Sequence, residues 1–78
     1  MYKVLLVDDE YMITEGLKKL IPFEKWDMEV VYTAEDADQA LAYVSDYPVD
    51  IVITDVNMPG KTGLEMIDQM QSILPHAA

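Results

Sequence analysis

The chain contains no cysteine and no arginine. Without cysteine there is no disulfide, no thiolate nucleophile and no sulfur ligand for a metal, so 78 residues have to fold on their apolar core alone. With no arginine, and five lysines against fifteen acids, the net charge is −10. Nucleic-acid binding needs cations that neutralise many phosphates, so this chain is not expected to bind nucleic acid directly. An anionic membrane surface is disfavoured for the same reason. No apolar run approaches the length needed to cross a bilayer. The opening Met1-Tyr2-Lys3-Val4 leads straight into a strand pattern and has no signal-peptide layout. A soluble, cytoplasmic chain of one domain or less is expected. Glycine is scarce, at three residues, and forms neither a P-loop nor a dinucleotide-binding pattern.

What is present is apolar and ordered. Hydrophobic residues make up 51% of the chain, enough for a folded core rather than disorder. Val4-Leu5-Leu6-Val7 is a continuous apolar run, as expected of a parallel strand covered on both faces. Ile13, Leu17, Leu20 and Ile21 follow at helical spacing, and Pro22 stops that helix. Phe23 to Asp27 reads as a loop, and its Trp26 is expected to pack against the first helix. Val30-Val31-Tyr32 is the second strand. Ala37, Ala40, Leu41 and Val44 form a second helical stripe that ends before Pro48. Glu35, Asp36 and Asp38 fit the start of that helix, where acids favour the dipole. Tyr43 and Tyr47 flank its end as amphipathic packing. Ile51-Val52-Ile53-Thr54 is a third, β-branched strand. Asn57-Met58-Pro59-Gly60-Lys61 is a loop of turn formers in which Pro59 fixes the backbone. Thr62-Gly63-Leu64-Glu65 reads as a capping box, and Ile67, Met70 and Leu74 continue the last helix. The order βαβαβα implies a parallel sheet with right-handed crossovers.

In open parallel α/β sheets, sites lie beyond the carboxyl ends of the strands. Asp8 and Asp9 follow the first strand and Asp55 follows the third. If those strands are neighbours, three carboxylates converge. Like charges held close repel, and a hard divalent cation with oxygen ligands relieves the repulsion; Mg²⁺ typically takes one or two carboxylates, waters and phosphate oxygens. The structural alternative is that these acids satisfy free N–H groups at helix starts. A double Asp plus a third Asp at a second strand end favours function over capping. Asp55 also suits attack on phosphorus, because a carboxylate is ionised at neutral pH and needs no general base. His76, the only histidine, lies near the end of the chain and is not expected to be catalytic.

Val4-Leu5-Leu6-Val7-Asp8-Asp9-Glu10 resembles the first strand and acidic pair of response-regulator receiver domains. Ile51 to Gly60 resembles their phosphorylation strand and loop, and Gly63-Leu64-Glu65 the start of the helix after it. The resemblance implies an α/β, flavodoxin-like (CheY-like) parallel sheet of strand order 2-1-3 with helices on both faces. It makes Asp55 the phosphoacceptor, Asp9 a direct Mg²⁺ ligand, Asp8 a ligand through water, and the backbone carbonyl of Asn57 a further ligand. It implies a histidine kinase as phosphodonor and no turnover enzyme activity. Trp26 is similar to receivers joined to AraC-type DNA-binding domains, which implies a DNA-binding output domain in the full-length protein.

A receiver has five βα units, and residues 1–78 supply three. The hydroxyl residue of the fourth strand, and the lysine and aromatic switch residue of the fifth, have no counterpart here. The expectation is therefore a truncated, impaired receiver. Two other functions compete. A Mg²⁺-dependent phosphatase or phosphotransferase of haloacid dehalogenase type would need Asp-x-Asp after the first strand, and Asp8-Asp9-Glu10-Tyr11 fits that poorly. A self-assembling half-domain with vestigial acids is the third. Loss of strands four and five leaves Ile51 to Thr54 as an apolar edge free of proline and charge. Pairing of that edge with its copy in an antiparallel two-fold dimer is expected, with domain swapping or open aggregation as alternatives.

Overall fold

The computed structural model describes residues 1–55 and 63–73. Strand β1 (Tyr2–Val7) leads to helix α1 (Tyr11–Leu20) and a 3₁₀ helix (Phe23–Trp26). Strand β2 (Met28–Ala34), helix α2 (Ala37–Asp46), strand β3 (Ile51–Thr54) and helix α3 (Gly63–Ile73) follow. The three strands form one parallel sheet in the order β2-β1-β3, with β1 in the centre.

The apolar run of β1 is explained by burial on both faces. Val4 and Leu6 point into one layer with Phe23, backed by Leu17 and Ile21. Leu5 and Val7 point into the other, with Ala37, Ala40 and Val44 of α2 and Met66 and Met70 of α3. Val4, Leu5, Leu6 and Val7 are each 1% exposed or less, so neither face of this stretch of the central strand is open to water. The small Ala37 and Ala40 let α2 approach the sheet closely. Asp36 starts that helix: its Oδ1 accepts the N–H of Gln39 at 2.8 Å, and Oε1 of Gln39 accepts the N–H of Glu35 at 3.0 Å.

Register contains one irregularity. Val4 pairs with Val30 but Leu5 with Tyr32, so Val31 is an extra residue in β2. The bulge turns Tyr32 to the α2 side of the sheet. There its ring stacks on Tyr43 at a centroid distance of 4.5 Å, and Tyr43 stacks on Tyr47 at 4.9 Å. Of the two tyrosines expected to pack at the end of α2, Tyr43 does so against Tyr32 of the strand, while Tyr47 stacks on Tyr43 and stays exposed.

The first helix departs from its expected stripe. Leu20 is 81% exposed and Ile13 45%, while Thr14 is buried with Leu17 and Ile21 half-buried. Thr14, Leu17 and Ile21 sit at spacings of three and four, which defines a face rotated from Ile13 and Leu20. The hydroxyl of Thr14 donates to the carbonyl oxygen of Tyr11 at 2.9 Å, so the threonine is buried without an orphaned polar group. The expected loop at Phe23–Asp27 is instead a turn of 3₁₀ helix, closed by Asp27 in the left-handed region at φ 57°. Pro22 presets the backbone before it. Trp26 does not pack against α1 but is 68% exposed; Phe23 is the aromatic that enters the core. The proposed cap at Thr62, the loop through Met58, Pro59 and Lys61, and residues Leu74 and His76 lie outside the described residues.

Candidate functional site

Parallel pairing sets the acids together. Val7 of β1 pairs with Thr54 of β3, so the residues that leave the two strands, Asp8 and Asp55, emerge side by side. The N–H of Asp8 donates to Ala34 and that of Asp55 to Val7, each at 3.0 Å, which holds both backbones one rung beyond the strands. Carboxylate oxygens of Asp8, Asp9 and Asp55 all lie within 4.8 Å of one another. Asp8 and Asp55 are half-buried, and Asp9 is exposed.

None of these acids caps a helix, although one of them bonds a nearby backbone N–H. Oδ1 of Asp8 accepts the N–H of Glu10 at 2.9 Å, a local turn that leads into α1. The residue that caps α1 is Glu10, and it makes no side-chain cap bond. Asp9 makes no hydrogen bond or ion pair among the described residues. Its carboxylate therefore has no structural task that would account for its place beside two others. The hydroxyl of Thr54 donates to the carbonyl oxygen of Asp55 at 2.9 Å and stiffens the point where β3 ends.

The donor set is all oxygen and all anionic, which suits a small hard cation and would serve a thiophilic metal poorly. Asn57, expected to add a carbonyl ligand, lies outside the described residues. Beside the acids a cleft of about 240 Å³ runs between α1 and β3, lined by Leu6, Thr14, Leu17, Ile53 and Thr54 along with Asp8 and Asp55. Thr14 and Ile53 had no signal of their own in the sequence. Thr14 is distinguishable only as a polar residue on an apolar face, and Ile53 only as part of a uniformly β-branched strand.

The family model described as the response regulator receiver domain matches residues 4–77. A response regulatory protein of Staphylococcus epidermidis, itself uncharacterised, is 40% identical over 73 residues; these are 94% of this chain and 29% of that protein. The chain thus spans under a third of the length of that relative. A two-component transcriptional regulator described as AraC, from Clostridium phytofermentans, superposes with a TM-score of 0.93 at 27% identity, over 100% of this chain and 63% of that one. The crystal structure of the histidine kinase ThkA in complex with the response regulator TrrA gives a TM-score of 0.82 at 35% identity, over 99% of this chain and 64% of the matched one. With the strand order 2-1-3 and three acids gathered at the ends of β1 and β3, these matches lead to one conclusion: this chain belongs to the response regulator receiver domain family.

Proposed function

We propose that this chain is the phosphoacceptor part of a two-component response regulator, with Asp55 as the residue modified. The observation that carries the proposal is the convergence of Asp8, Asp9 and Asp55 within 4.8 Å at adjacent strand ends. A carboxylate oxygen of Asp55 attacks the phosphorus of a phosphohistidine on a histidine kinase. The new P–O bond forms as the donor's N–P bond breaks, and the electron pair returns to the imidazole nitrogen, which takes up a proton. The product is an aspartyl phosphate, a mixed anhydride. Asp8, Asp9 and Asp55, with the carbonyl of Asn57 by family resemblance, would hold Mg²⁺. Bound there, such an ion would offset the negative charge of the phosphoryl group. Asp8 and Asp9 fix the anionic pair, and the backbone bonds of Asp55 hold its carboxylate at the strand end.

The hydroxyl and lysine that family members supply from later strands contribute about 3 kcal/mol each in comparable sites. With the residues of this chain alone, transfer from a small acyl phosphate is therefore expected to be slow. Such a regulator works in the cytoplasm, and its DNA-binding output domain belongs to the longer protein. The test is intact-mass analysis after incubation with a phosphorylated histidine kinase and Mg²⁺. The expected product carries one phosphoryl group, acid-stable and base-labile, and is missing from Asp55→Asn. Modification that survives in Asp55→Asn overturns the assignment. Steady turnover of a small phosphomonoester would instead identify a phosphatase.

We propose in addition that the free edge of β3 is where a further strand adds. Among the described residues β3 pairs with β1 alone, and Ile53 is 37% exposed. Where this chain is the only species present, the strand comes from a second copy and gives a two-fold dimer. Sedimentation of the chain with Ile53→Lys and Val52→Pro tests this. A folded monomer at high micromolar concentration overturns it.

A further inference from the structure

Thr54 is the last residue of β3 and pairs with Val7, so its neighbour Asp55 is the first residue beyond the ladder. On its amino side Asp55 is tied to the sheet, because its N–H donates to the carbonyl oxygen of Val7 at 3.0 Å. On its carboxyl side the tie comes from Thr54, whose Oγ1 donates to the carbonyl oxygen of Asp55 at 2.9 Å. The two bonds act on different torsions. The first holds the peptide plane before Asp55 and limits φ; the second holds the plane after it and limits ψ. Side-chain rotamers depend on both angles, so the pair of bonds narrows the directions open to the Asp55 carboxylate.

A threonine here has a simpler explanation, since β-branched residues suit strands and threonine hydroxyls often bond nearby backbone. Strand propensity alone is met by the valine and isoleucines that fill the rest of β3. The hydroxyl falls at the one β3 position that adjoins Asp55. It is half-buried and lines, with Asp8 and Asp55, the cleft between α1 and β3. The carbonyl it holds belongs to the residue whose carboxylate lies within 4.8 Å of those of Asp8 and Asp9. Carboxylates gathered this closely repel, and an Asp55 side chain free to rotate would turn away from the other two. The Thr54 hydroxyl resists that turn through the backbone.

We propose that Thr54 is a positioning residue for Asp55: by holding the Asp55 carbonyl, its hydroxyl keeps the Asp55 carboxylate aimed at the cluster with Asp8 and Asp9. The consequence for phosphoryl transfer rests on the reading of Asp55 as the phosphoacceptor; the consequence for side-chain order does not. Transfer needs a carboxylate oxygen in line with the bond that breaks, and a misplaced reacting group can cost up to about a hundredfold in rate.

Thr54→Val keeps the shape of the side chain and removes the donor, whereas Thr54→Ser keeps the donor and removes a methyl group. In EDTA, three-bond couplings from the backbone nitrogen and carbonyl carbon of Asp55 to its Cγ should report one χ1 rotamer in the parent and in Thr54→Ser. The same couplings should show averaging over rotamers in Thr54→Val. With Mg²⁺ and acetyl phosphate, the initial rate of modification at Asp55, followed by intact mass, should fall roughly tenfold in Thr54→Val and stay within about twofold of the parent in Thr54→Ser. Melting should run in the opposite order, Thr54→Val at or above the parent and Thr54→Ser below it, because valine is the better strand former and serine the poorer. A role in stability alone would make the rate follow the melting temperature. The proposal is overturned by a single Asp55 rotamer in Thr54→Val, by averaging in the parent, or by Thr54→Ser behaving as Thr54→Val. Couplings that respond as expected in a chain that accepts no phosphoryl group from a phosphorylated histidine kinase support the positioning role and overturn the assignment of Asp55 as phosphoacceptor.

Discussion

The backbone N–H of Asp55 donates to the carbonyl oxygen of Val7 at 3.0 Å, one rung past the last paired residue of β3. This bond sets the position of Asp55 relative to the residue after Val7, which is Asp8. A shift of β3 by one residue would turn Ile51, Val52 and Ile53 to the opposite faces of the sheet. The apolar packing of Val52 against Leu5, and of Ile51 against Val4, thus fixes the acidic site as well as the core.

Metal dependence should show in the melting of the chain. A cation that binds only the folded state stabilises it, by about 1.4 kcal/mol at roughly ten times its Kd. For a domain of this size that is a rise of several degrees in Tm, on the order of 4–8 °C per kcal/mol. In EDTA, Asp9→Asn should melt higher than the parent, because one of three clustered negative charges is removed. In Mg²⁺ the order should invert. Calorimetry in both buffers checks the crossover, and parallel curves would separate Asp9 from the metal.

Two leucines should respond very unequally to truncation. Leu5 is fully buried in the α2–α3 layer, so Leu5→Ala should cost about 2–5 kcal/mol, enough to unfold a chain of this size. Leu20→Ala should stay within about 0.5 kcal/mol of the parent, because Leu20 is 81% exposed. Urea unfolding of the two variants tests the rotated buried face of α1.

Asp36→Ala should destabilise by about 1 kcal/mol through loss of the 2.8 Å bond to the N–H of Gln39. Asp36→Asn, which keeps an acceptor oxygen, should recover most of that loss. Equal losses for the two substitutions would show that charge at the helix start, rather than the cap bond, is the contribution.

Gly16→Ala should raise stability by about 0.5–1 kcal/mol. Gly16 sits inside α1, and a Cβ built on it meets nothing within 4 Å. The increase in midpoint should come without a change in the denaturant slope.

Periodicity and punctuation made the element order, the two-sided burial of β1 and the strand-end acids legible from the chain alone. Val4 to Val7 could be placed because a strand covered on both faces needs no alternation, and Asp8, Asp9 and Asp55 because they follow strands directly. The rest depended on neighbours distant in sequence. The buried side of α1 was set by where the sheet lies, which selected Thr14, Leu17 and Ile21 over Ile13 and Leu20. The 3₁₀ turn put Phe23 inward and Trp26 outward, although both are aromatic residues of one short segment. Val31 became a bulge because β1 offers β2 one partner fewer there, and this joined Tyr32 to Tyr43. Local spacing says which residues share a face of an element. Only packing against the rest of the chain decides which face is buried and which charged side chains share a groove.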